Sequence, residues 1–147
     1  MNNRTVNLAF FYRLLDPISG GAEVEEIGAR HSWLSDASEQ QFRAWVRQAF
    51  SDHMSQMHPE VVQGCRLALE YTLSSDAHDP GSKDAFMEGM WDNQMPSFDP
   101  PTGLRAFFYL LWEVCFPGED VRLRLEECFV IDDANLIYPE VPRVGGD

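Results

Sequence analysis

The 147 residues carry a formal net charge of −13, with 11 Lys and Arg against 24 Asp and Glu. Such an excess is repelled by nucleic acid and by anionic membrane surfaces and drawn to basic protein surfaces. With 44% hydrophobic and 12% aromatic residues the chain is globular, and its length suits a single domain, 1–147, that buries about two thirds of its unfolded surface.

The charge is uneven. Residues 1–75 hold six Arg against nine acids, a net of −3, whereas 76–147 hold five bases against fifteen acids, a net of −10. Three cysteines cannot all pair within the chain, and Cys65 and Cys115 lie in apolar helical patterns, so reduced thiols are expected. The start, with one basic residue ahead of its apolar stretch and no small-residue cleavage site, reads as a cytoplasmic protein rather than an exported one.

Val6, Leu8, Phe10 and Tyr12 alternate with their neighbours at the period of a half-buried strand. Asp16 to Gly21 is a loop by its turn residues. Residues 22–34 fit helix or strand, and pairing with the first strand favours a hairpin. Ser38 and Gln41 then form a capping box, and Phe42, Trp45, Val46, Ala49, Phe50 and His53 give one apolar stripe. A second helix begins at Pro59, with Val62, Cys65, Leu69 and Leu73 inward, and ends at Leu73-Ser74-Ser75. Residues 74–82 read as a loop, and Ser82 as the cap of a short helix through Trp91 that buries Phe86 and Met90.

The centre of the chain is 99–116. Asp99 is placed to cap a helix opening on Pro100 or Pro101, with Leu104, Phe107, Phe108, Leu111 and Cys115 on one face and only Arg105 and Glu113 charged. An almost wholly apolar helix is a buried one, and at about 25 Å it falls short of a membrane core. Residues 119–128 again fit helix or strand, with helix favoured, and Phe129 to Ile131 reads as a short extended piece. Residues 132–135 turn the chain, and 143–147 form a fraying tail. The expected fold is therefore α+β and predominantly α, a single-domain helical bundle around the central helix with a small N-terminal β-hairpin.

Motifs that name an activity are absent. No Walker A, GxGxxG or GxSxG sequence occurs, His53 and His58 straddle a helix break, and Asp76, His78 and Asp79 crowd a loop without the spacing of a metal site. Catalytic residues, metal ligands and cofactor-binding residues are accordingly assigned to none. The remaining signal is interaction. Asp76, Asp79, Glu88, Trp91, Asp92, Met95, Phe98 and Asp99 combine acids with aromatic and Met side chains in one region. With Glu119, Asp120, Asp132 and Asp133 they are expected to form a docking face for a protein with a basic surface, a toxin or an effector. That partner class excludes nucleic acid and membrane and leaves a homo-oligomer open. The function it implies is a non-enzymatic acidic inhibitor, of the kind of a bacterial immunity protein that neutralises a toxin by occlusion. A phage-encoded inhibitor or DNA mimic, and a small enzyme using His31, His53 or His78 as general base, are the alternatives.

Overall fold

A computed structural model describes residues 4–19, 32–121 and 125–139. A strand β1 (Arg4–Asn7) leads through a 3-10 turn (Leu8–Phe10) into a one-turn helix α1 (Phe11–Leu14). Two long helices follow, α2 (Glu39–Gln56) and α3 (Pro59–His78), then α4 (Asp84–Asn93), α5 (Leu104–Cys115) and a strand β2 (Cys128–Ile131). The chain is predominantly helical, with a two-stranded sheet.

β1 and β2 are parallel, with Arg4 beside Cys128 and Asn7 beside Ile131. The described sheet is thus a parallel pairing of two segments far apart in the chain rather than a hairpin, and most of the second strand expected for the hairpin lies outside the described residues. Residues 32–36 are a 3-10 turn, and the rest of 22–34 lies outside the described residues. The strand period also fails sooner than the alternation implies, and Asn7 is the reason. Its buried side chain accepts from the Ala9 N–H at 3.1 Å, which turns the backbone into the 3-10 helix. The same amide accepts from the Asp133 N–H and donates to the Asp133 carbonyl, both at 3.0 Å, so it continues the ladder by one more rung.

α2 forms as its sequence dictates. Ser38 Oγ accepts from the Gln41 N–H, the Gln41 side chain accepts from the Ser38 N–H, and Phe42, Val46 and Phe50 are fully buried. Pro59 opens α3, where His58 Nδ1 accepts from the Glu60 N–H. α5 is central as expected, packing on α2, α3 and α4 and burying Phe107, Phe108, Leu110, Leu111 and Trp112. Its start differs from the expectation. The Gly103 N–H bonds back to the Pro100 carbonyl, Gly103 takes φ +94°, and the helix begins at Leu104 with no side-chain cap. Asp99 instead gives its N–H to Ser35 Oγ at 3.0 Å. Phe11, Phe108, Phe107, Phe42, Phe98 and Trp91 join largely edge to face, with Trp91 and Phe107 5.2 Å apart.

Cys65 is fully buried, and burial pushes its thiol up to about 12. Burial does the same at Cys115, which is only partly exposed. Among the described residues no helix is long and apolar enough to cross a membrane.

Gly64, in the middle of α3, marks the tightest approach. A Cβ there would sit 2.3 Å from the Phe10 ring, so the helix tolerates a residue about 1 kcal/mol poorer than Ala to seat that ring. Gly64→Ala should therefore lower stability in urea by about 1–3 kcal/mol. A gain of about 1 kcal/mol, as helix propensity alone would give, contradicts this packing.

Candidate docking face

α4 carries DAFMEGMWDN. Met87 and Trp91 point into the core. Asp84, Glu88 and Asp92, spaced by four, fall in one row on the exposed side, about 6 Å apart along the axis. Among the described residues no hydrogen bond or ion pair reaches the side chain of any of the three. Three of the chain's bases are engaged with other acids: Arg43 pairs with Glu113, Arg66 with Glu119, and Arg105 with Asp76. Asp84, Met87, Glu88, Leu104 and Arg105 line a shallow cleft of about 350 Å³ beside the row.

The C-terminal end of α4 departs from ordinary helix chemistry three times. Asp92 lies in the last turn, where the helix dipole disfavours an anion, and no base accompanies it. Glu88 and Asp92 repel at four-residue spacing. Past the Gln94 cap, Met95 occupies the left-handed conformation at φ +48°, a position normally taken by Gly, and the residue is 52% exposed. This end is firmly held nonetheless. Trp91 stands edge-on to Phe98 and Phe107, Gln94 Nε2 donates to the Tyr12 carbonyl at 3.5 Å, and Ser19 Oγ donates to Gln94 Oε1 at 2.5 Å.

Asp76 fixes the other end. α3 continues past Leu73 to His78, so Asp76 is not in a loop; it is fully buried. Its Oδ2 accepts from Tyr109 at 2.7 Å and from Arg105 Nε and Nη2 at 3.0 and 2.7 Å, and Oδ1 accepts from the Gly81 N–H at 3.2 Å. Burial pushes the carboxyl up, but these bonds and the guanidinium charge outweigh it and hold the carboxyl below its ordinary value. Burial, then the bond to Asp76 and its charge, push the Tyr109 hydroxyl up, so it stays a donor. One carboxylate thus ties the C-terminus of α3, the turn at 79–83 and the first turns of α5, and that turn launches α4.

The twelve residues expected at the face separate into groups. Glu88, Asp92 and Met95 share the α4 ridge, with Asp79 exposed just past α3 and Asp99 exposed beyond Met95. Asp76, Trp91 and Phe98 are interior, at 0%, 6% and 4% exposure, and support the ridge from beneath. Glu119 is held by Arg66, whose guanidinium also stacks on Trp112 and Phe116, and Asp120 neighbours it. Asp132 and Asp133 belong to the sheet end, where Asp133 caps a 3-10 turn through the Asn135 N–H. Asp84 completes the row that Glu88 and Asp92 begin, and its four-residue spacing is the signal that reveals it. His53 Nε2 donates to the Arg13 carbonyl at 2.7 Å, His78 is exposed at the end of α3, and His31 lies outside the described residues. Among the described residues no group of three or more His, Cys, Asp and Glu is arranged to hold a metal ion. No family model, curated protein or solved structure matches the chain.

The Asp76 contribution has a definite pH sign. A carboxyl lowered by folding stabilises fully above its unfolded value near pH 4 and loses that contribution as pH falls through the folded value. Asp76→Asn should lower stability at pH 7 by about 2 kcal/mol and flatten the acid limb of the pH–stability curve. An unchanged acid limb contradicts the assignment.

Proposed function

We propose that the chain is a non-enzymatic acidic protein that binds a basic surface on a protein partner and occludes it, as a bacterial immunity protein does to a toxin. One observation carries this reading: on its exposed side the C-terminal half of α4 gives up local stability at Asp92, at the Glu88–Asp92 pair and at Met95. Departures from local rules concentrate where a surface serves something other than its own folding. The combination suits a basic partner. Unpaired carboxylates steer a cationic surface into encounter, and a half-exposed Met offers an adaptable apolar anchor inside an acidic rim. The aromatic layer of Trp91, Phe98 and Phe107 beneath them keeps the face rigid, which lowers the ordering cost of association.

Occlusion requires no chemistry from this chain. It requires a stable scaffold, a fast encounter and a complementary rim, and the high net negative charge of the C-terminal half serves the second.

Stopped-flow association with a basic toxin or effector encoded beside this chain tests the reading. Glu88→Lys with Asp92→Lys should slow association by about tenfold or more at low salt, with the helical circular dichroism retained. Raising the salt should slow the parent toward the variant. Equal rates for parent and variant, or a rate indifferent to salt, would contradict it.

A further inference from the structure

β2 lies apart from the α4 face and has a separate character. Among the described residues it pairs with β1 alone. Phe129 and Val130 point to opposite faces of the ribbon, and both are exposed, at 58% and 38%. Val130 lies beside the fully buried Val6, so it stands at the rim of the core, whereas Phe129 lies beside exposed Thr5 on the solvent side. A strand with one neighbour turns about half of its N–H and C=O groups away from it, and an exposed apolar edge is a template for another strand. Such edges are ordinarily blunted with Lys or Pro. Here the four residues of β2 are bracketed by Glu126 and Glu127 before and Asp132 and Asp133 after.

We propose that the outer edge of β2 takes up an extended segment of a partner protein as a third strand, a segment with an aliphatic centre and Lys or Arg at each end. Backbone bonds to β2 supply affinity that does not depend on the partner's sequence, and the exposed Glu126 and Asp132 at its two ends select the basic ends. The same charges disfavour a second copy of this chain. A two-fold antiparallel pairing centred between Phe129 and Val130 sets the exposed Glu126 of one copy opposite Asp133 of the other, and like charges directly opposite are destabilising.

The full chain, nitrogen-15 labelled, is titrated with a capped hexapeptide of Thr-Val-Val-Thr between two lysines, and with its counterpart ending in two glutamates. The lysine peptide should shift the amides of Phe129, Val130 and Ile131, with the glutamate peptide roughly fivefold weaker or worse. Phe129→Lys, an exposed change, should weaken the lysine peptide by about tenfold, and Asp132→Lys should act in the same direction, whereas Glu88→Lys on α4 should leave it unchanged. No shift, equal response to both peptides, or shifts confined to α4 would overturn the proposal. So would sedimentation showing a dimer that Phe129→Lys dissolves, because the occupant would then be a second copy.

Discussion

The fold's arrangement around α4 depends on one buried carboxylate. Asp76 is fully enclosed, and a buried charge persists only where partners replace its lost water. Arg105 and Tyr109, one turn apart on α5, and the Gly81 N–H provide them. An acid so near the C-terminus of α3 is disfavoured by that helix's dipole, so the guanidinium offsets both the burial and the dipole. The geometric consequence matters more than the energy. With α3, the turn after it and α5 joined at one point, α4 has a fixed origin, and the aromatic layer at Trp91 fixes its far end.

The ridge on α4 is thus rigid without being internally stable. Its carboxylates repel one another, its last turn carries an acid and no base, and its terminus holds a Met where Gly would relieve the backbone. A rigid support under an unfavourable surface is the condition a preorganised binding face needs, since the partner then supplies the missing countercharge. The sheet end differs in kind. There the chain closes by pairing its two ends through β1, β2 and the Asn7–Asp133 bonds, and it leaves an apolar edge outside.

Sequence legibility followed locality. α2 was readable because its capping box and stripe lie within the helix they specify. The core role of α5 was readable from apolar content alone, although Gly103 moved its start to Leu104. Ser74, Ser75 and Asp76 looked like a polar loop because the groups that bury Asp76 come from about thirty residues away. The first strand's partner was hidden for the same reason, since β2 lies at the other end of the chain. Glu88, Asp92 and Met95, expected at the surface by type, are exposed, while Trp91 and Phe98, of equally suitable type, are buried beneath them. Residue type shows what a surface would use; only packing shows which side chains reach it.

The central claim is that the exposed end of α4 is kept for a partner against its own stability, and thermal melting of Asp92→Lys combined with Met95→Gly tests it most directly. The pair converts a repulsion into an i, i+4 attraction, adds a cation in the last turn and relieves the left-handed residue. The melting temperature should therefore rise by about 2–4 °C. An unchanged or lower melting temperature would show that these residues stabilise the fold itself, and would contradict the account.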